Sequence, residues 1–111
     1  IKVENNTVYV YKIGNKPVGF IHFWTVGDSG YIACLVVSQS NRRKGYGSQL
    51  MQKAIGQMKT LKMKSIIIQN RPGLKWIAKW YEKLGFKPKF NPALGDIPEY
   101  FRLNLTPKKF E

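Results

Sequence analysis

Hydrophobic and polar positions alternate at the start of the chain and then change period. From Thr7 to Ile13, Val8, Val10 and Lys12 alternate with Tyr9, Tyr11 and Ile13, the period-two pattern of a strand. Gly14-Asn15-Lys16 is a turn signal, and Pro17 to Val26 is rich in β-branched and aromatic residues, so 7–26 reads as a hairpin. Gly27-Asp28-Ser29-Gly30 predicts another tight turn. Tyr31 to Val37 is a nearly continuous apolar run, as expected of a strand covered on both faces. The period then lengthens. Leu50, Met51, Ala54, Ile55, Met58 and Leu61 follow helical spacing, and Ser65 to Gln69 reads as a second buried strand around Ile66, Ile67 and Ile68. A strand–helix–strand crossover is almost always right-handed and joins parallel strands. Leu74, Ile77, Ala78, Tyr81 and Leu84 predict a second helix, ended by Gly85. Phe86 to Phe90 and Tyr100 to Leu105 read as final strands, joined by a non-helical loop, Asn91 to Glu99, containing Pro92, Gly95 and Pro98. The expected fold is α/β: a mixed sheet with a helix on either side of the central pair.

The segment Ser38-Gln-Ser-Asn-Arg-Arg-Lys-Gly-Tyr-Gly-Ser48 joins the apolar run to the first helix. Arg42, Arg43 and Lys44 lead into Gly45 and Gly47, where that helix should start. The first helical N–H groups lack intrahelical partners and carry the positive end of the macrodipole. Glycines let a ligand approach such backbone closely, so the segment suits a phosphate or pyrophosphate. It lies at the carboxyl ends of the parallel strands, where ligands of open α/β sheets bind. The plainer alternative is a basic, glycine-containing turn without a ligand. The phosphate loop of nucleotide hydrolases is excluded, because no Gly, four residues, Gly-Lys-Ser/Thr run occurs. Gly-x-Gly-x-x-Gly is excluded too, because Leu50 holds the third glycine position.

Arg42-Arg-Lys-Gly45-Tyr-Gly47 resembles the acyl-CoA loop of the GCN5-related N-acetyltransferase (GNAT) family, Gln/Arg-x-x-Gly-x-Gly/Ala. Val37 falls where that family often has Val-x-Pro-x-x-Arg, with Gln39 replacing the proline. Ala78-Lys-Trp-Tyr81-Glu-Lys-Leu-Gly85-Phe86 is similar to its Ala-x-x-Tyr-x-x-x-Gly-Phe helix ending. The resemblance covers residues from about 17 to 105. It implies a GNAT-like mixed sheet whose central parallel strands splay apart to admit the pantetheine arm, with 1–111 as one acyl-CoA-binding domain. It also implies an N-acetyltransferase that uses acetyl-CoA or another acyl-CoA, transferring directly to an amine in a ternary complex. The family's amino-terminal strand and two helices have no counterpart before the hairpin, so the fold is expected to be shortened there. That implies an open acceptor site, a segment upstream of Ile1 or a partner subunit.

The resemblance assigns the cofactor to Arg42, Arg43, Lys44, Gly45, Tyr46, Gly47 and Ser48, whose backbone holds the pyrophosphate. A main-chain group within Leu35, Val36 and Val37 is implied to polarise the acetyl carbonyl, beside those residues' packing role. The family's asparagine shortly before the last helix is displaced: Leu74 stands there, and Asn70, earlier in the chain, becomes the cofactor-binding candidate. Tyr81 matches the tyrosine that protonates the CoA thiolate. A phenol with an ordinary pKa near 10 keeps its proton at neutral pH, although Tyr81 also fits a plain core position. The general base has no match. Tyr31 and Gln69 stand where relatives have glutamates, and neither accepts a proton near neutral pH.

His22, the single histidine, shares a strand side with Phe20 and Trp24 and reads as packed or polar before it reads as a base. Asp96 and Glu99 are able to hold an acceptor ammonium or take its proton through water; a solvated loop is their plainer reading. Cys34 reads as a core residue, and no clustered Cys/His set supports a metal site.

Charge changes the picture of the partner. The chain has 111 residues, with 19 Lys and Arg against 6 Asp and Glu, a net charge of +13. Such a field attracts polyanions and repels small polycations, so an amine on an acidic macromolecule suits it better than a free polyamine. Two rivals follow. One is a nucleic-acid-binding or nucleic-acid-modifying protein of this fold using Trp76, Trp80, Lys75, Lys79 and Arg71; the other is a non-catalytic acyl-CoA sensor, motivated by the missing glutamates. No apolar run approaches the roughly 20 residues that span a bilayer, and the single cysteine suits a reducing compartment, so a cytoplasmic location without membrane contact is expected. Oligomeric state is not legible.

Overall fold

In the computed structural model, residues 2–71 and 73–105 are described. Strand β1 (Val3–Ile13) pairs antiparallel with β2 (Lys16–Val26), and β2 with β3 (Ser29–Val37). Helix α1 (Tyr46–Thr60) crosses to β4 (Ser65–Gln69), which lies parallel to β3. Helix α2 (Lys75–Lys83) leads to β5 (Lys87–Phe90) and β6 (Pro98–Asn104). All six strands form one sheet in the order β1-β2-β3-β4-β6-β5.

Several boundaries differ from the sequence pattern. β1 starts at Val3, ahead of the alternation, because Val3 and Glu4 pair with Val26 and Thr25. A register shift follows, with Asn5 at φ 53, a left-handed conformation that asparagine tolerates. The Asn5 Nδ2 donates to Thr25 Oγ1 at 2.9 Å, partnering the one buried polar side chain among the described residues. The turn before β3 needs only Gly27 and Asp28. The loop expected to lack helix contains one 3-10 turn, Pro92–Leu94, where Asn91 Oδ1 accepts from the Ala93 N–H.

The sheet is mixed and flanked by two helices, but the expected placement of one helix on either side of the central pair is corrected: both lie on one face of the sheet. The paired rows Gly30–Ile66–Leu103 and Ile32–Ile68–Phe101 point to that face. Met58 of α1 packs so closely on Gly30 that a Cβ there would stand 2.2 Å from its Sδ. Tyr81 of α2 meets Phe101 edge-on, with ring centroids 5.4 Å apart. The core therefore gathers Ile21, Phe23, Ile32, Met51, Met58, Ile66, Tyr81, Phe86 and Phe101 on one side. Right-handed crossovers explain the geometry: both connections step the same way across the sheet, so both helices land on the same face.

β3 and β4 separate. Their pairing ends at Ile32–Ile68, while β3 runs on to Val37. Just beyond Ile32 the β2 register jumps from Phe23–Ile32 to His22–Cys34, leaving Ala33 as the extra residue of a bulge. Burial records the switch: Gly30 and Ile32 face the helices before it, Leu35 and Val37 pack against the core after it. A bulge bends and twists its strand, and here it turns the end of β3 away from β4.

Candidate active site

Six consecutive main-chain N–H groups, from Arg43 to Ser48, have no acceptor among the described residues. The chain arrives there in steps. The Ser38 N–H donates to the Val18 carbonyl at 2.8 Å, the last bond to β2. The Asn41 and Arg42 N–H groups donate to Ser38 and Gln39 carbonyls, closing a 3-10 turn. Arg43 at φ 62 and Gly45 at φ 85 are left-handed residues, the backbone type from which anion-binding nests are built. The first helical bond is then Gln49 N–H to the Gly45 carbonyl at 3.0 Å. No side chain caps α1 and its first turn holds no acid, so no protein carboxylate offsets the positive helix end.

The side chains around this backbone divide their roles. The Arg42 Nε donates to the Val37 carbonyl at 3.0 Å, tying the loop to the end of β3 while the guanidinium stays exposed. Arg43 and Lys44 are exposed. The Tyr46 ring packs on Tyr11, centroids 4.6 Å apart, so its side chain anchors the helix start. Gly47 faces Val37 and Trp80: a Cβ there would lie 3.7 Å from Val37 and 4.0 Å from the Trp80 ring. This brings α2 against the head of α1.

Leu35, Val36 and Val37 separate. The Ser38–Val18 bond sets the phase of the ladder, and alternation directs the Val36 N–H and C=O toward β2. Those of Leu35 and Val37 point into the splay, consistent with Arg42 bonding the Val37 carbonyl. Asn70 lies just past β4. Its Nδ2 donates to the Pro98 carbonyl at 2.7 Å and its N–H to Glu99 at 3.2 Å, which leaves the Oδ1 for any ligand.

The Tyr81 ring is 3% exposed and packs among Trp80, Phe86 and Phe101. Its hydroxyl has no partner among the described residues, yet no buried side-chain N or O there lacks one, so the phenol tip reaches the surface. Burial raises the phenol above its ordinary pKa of 10, and the nearby Arg71 charge pulls partly the other way. It holds its proton at neutral pH.

The other candidates lie apart. His22 hydrogen-bonds Asn6 and meets Trp24 edge-on, on the sheet face away from the helices. Tyr31 and Gln69 belong to that same face, in register with Ile67 and Tyr100. Asp96 and Glu99 are exposed. Trp76 is 62% exposed, whereas Trp80 is partly buried against Tyr81 and Gly47. Sequence reasoning missed the bulge at Ala33 and the Trp80–Gly47 junction. The first hid inside a continuous apolar run with no visible period; the second joins residues far apart in the chain.

Solved structures share this architecture. An acetyltransferase from Bacillus cereus ATCC 14579 matches with a TM-score of 0.79 at 23% identity, over 93% of this chain and 74% of its own. The PaiA N-acetyltransferase from Thermoplasma acidophilum, solved with coenzyme A, matches with a TM-score of 0.77 at 15% identity, over 87% of this chain and 59% of its own. N-acetylglutamate synthase from Neisseria gonorrhoeae, complexed with coenzyme A and N-acetyl-glutamate, gives 0.74 at 18% identity, over 90% of this chain and 26% of its own. These likenesses establish the fold. No curated protein matches the sequence. The profile of the acetyltransferase (GNAT) domain matches residues 4–88, from β1 through α2 into β5. With the splayed strands and the glycine loop in their places, the chain belongs to the GNAT acetyltransferase family, whose acyl donor is acetyl-CoA.

Proposed function

We propose that this chain is an N-acyltransferase that moves an acetyl group from acetyl-CoA to an amine in a ternary complex. One observation carries the reading: six unclaimed amides, Arg43 to Ser48, stand at an acid-free helix start beside a split in the sheet. Free N–H donors and the helix dipole together favour a diphosphate. Arg42, Arg43 and Lys44 add charge at its rim. Acetyl-CoA supplies an activated thioester carbonyl and a thiolate leaving group. Within the splay, the Leu35 or Val37 N–H donates to the carbonyl oxygen as negative charge develops there. Tyr81 carries the proton at its hydroxyl that the departing sulfur takes up. The amine's proton leaves through water, with the exposed carboxylates Asp96 and Glu99 as its candidate acceptors.

The acceptor class follows from charge. A strongly positive protein recruits an amine borne on an anionic molecule more readily than a free polycation. An anionic amino acid, an amine of an acidic protein and a nucleobase amine all meet that condition. The sensor reading rests on Tyr31 and Gln69, and thiol release separates it: CoA binding without thiol release across a broad amine panel would establish the sensor.

Calorimetry with CoA tests the cradle. Gly47→Trp fills the gap between Val37 and Trp80 and should reduce binding by at least a hundredfold while thermal melting shows a folded protein. Unaltered affinity in that folded variant would place the cofactor elsewhere.

A further inference from the structure

Helices α1 and α2 start at the same end of the sheet. Each follows one strand of the parallel pair, α1 after β3 and α2 after β4, so both begin over the splay and run back along the strands. One point joins them. A Cβ on Gly47, the second residue of α1, would meet two atoms: Val37 Cγ2 at 3.7 Å and Trp80 Cη2 at 4.0 Å. The Trp80 indole therefore reaches from α2 to the head of α1, beside the end of β3. Its ring centroid is 5.8 Å from that of Tyr81, the next residue. Gly47 contributes an amide to the cradle, and Val37 turns its main-chain groups into the splay. Trp80 thus stands where the cradle, the end of β3 and the proposed acid converge. It is only partly buried there.

Space decides the route of a cofactor arm. Non-bonded carbons pack at about 4 Å, so a chain lying between two groups holds them about 8 Å apart. The Trp80 tip is already 4.0 Å from the Gly47 Cβ position, which closes the direct way between the helix heads. An arm leaving the cradle for the splay has to pass on the sheet side of the indole, over Val37.

We infer that Trp80 is a positioning residue for the acyl donor, its indole roofing the passage along which the pantetheine arm runs from the cradle to the splay. The inference rests on the acetyl-CoA reading above and deepens it. The roof supplies apolar contact to the arm and excludes water from it. It also fixes how far the arm reaches, and so where the sulfur lies relative to the Tyr81 hydroxyl. A smaller side chain at this position would leave the space between the helix heads open to solvent.

Tryptophan emission and calorimetry on the whole chain test the assignment with two probes. CoA carries the arm; ADP carries the adenosine and diphosphate without it. CoA should shift the emission to shorter wavelength as water leaves the indole, whereas ADP should displace CoA yet cause no shift. Trp80→Phe should abolish the CoA shift while affinity stays within about threefold, because an aromatic wall remains. Trp24→Phe, on the far face of the sheet, should keep the shift. Trp80→Ala should weaken CoA about tenfold, or about 1.4 kcal/mol, and leave ADP unchanged. Equal losses of CoA and ADP in that variant would make Trp80 a support of the cradle and overturn the proposal. A CoA shift that persists in Trp80→Phe would overturn it as well, and that measurement decides alone if the Ala variant does not fold. Failure of ADP to compete with CoA in the unaltered chain is a distinct result: it would remove the diphosphate cradle itself, and this assignment with it.

Discussion

At the scale of single residues, the site combines groups whose chemistry the sequence announces with settings it does not. Arg42 to Ser48 are contiguous, so spacing alone marks them as a loop with a purpose. Tyr81 is different: its helical spacing is that of an ordinary core residue, and only the fold gives it a buried ring with a free hydroxyl tip. Replacing Tyr81 by Phe should lower kcat about a hundredfold or more, the usual contribution of a general acid, with little change in KM for acetyl-CoA. Steady-state kinetics checks this. The same variant tests the phenol's environment. Its folded pKa lies above the unfolded value of 10, so the stabilisation is complete below pH 10 and is lost as pH rises through the folded value. Urea titrations from pH 8 to 11 should show a smaller alkaline loss for the Phe variant than for the parent. An identical decline would mean that the phenol titrates freely.

Elements decide where those residues meet. α1 sits low on β3 because Gly30 has no side chain to hold it off; the space a Cβ would need is already filled by Met58, itself fully buried. Gly30→Ala should cost about 1–3 kcal/mol, the range for overpacking a well-filled core, and lower the urea midpoint accordingly. An unchanged midpoint would show that α1 can lift without penalty. The same helix carries the amide cradle at its amino end, so its seating on β3 also fixes the distance between cradle and splay. The sequence pattern located α1, α2 and the parallel pair. Its failures were at edges: the early start of β1, the 3-10 turn at Pro92–Leu94 and the bulge at Ala33. Each depends on a partner strand or a backbone conformation that leaves no mark on local periodicity.

For the whole molecule, charge dominates. Among the described residues the one ion pair is Lys64–Asp28 at 3.5 Å, on the surface, against a net charge of +13. Repulsion between unpaired cations is screened beyond about 10 Å at 0.1 M salt, so raising NaCl from 20 to 200 mM should increase Tm. Differential scanning calorimetry would detect it, and a flat response would mean that the charges are too well solvated to matter. No helix among the described residues is long and apolar enough to cross a membrane. The amino-acid sequence by itself determined the order of elements, the basic glycine loop and the excess of positive charge, because periodicity, turn chemistry and composition are local properties of a chain. Tertiary structure alone decided that both helices share one face, that Ala33 breaks the β3 ladder, and that Trp80 closes on Gly47. Those outcomes depend on crossover handedness, strand register and close packing, which bring distant residues together and have no counterpart in neighbouring positions along the chain.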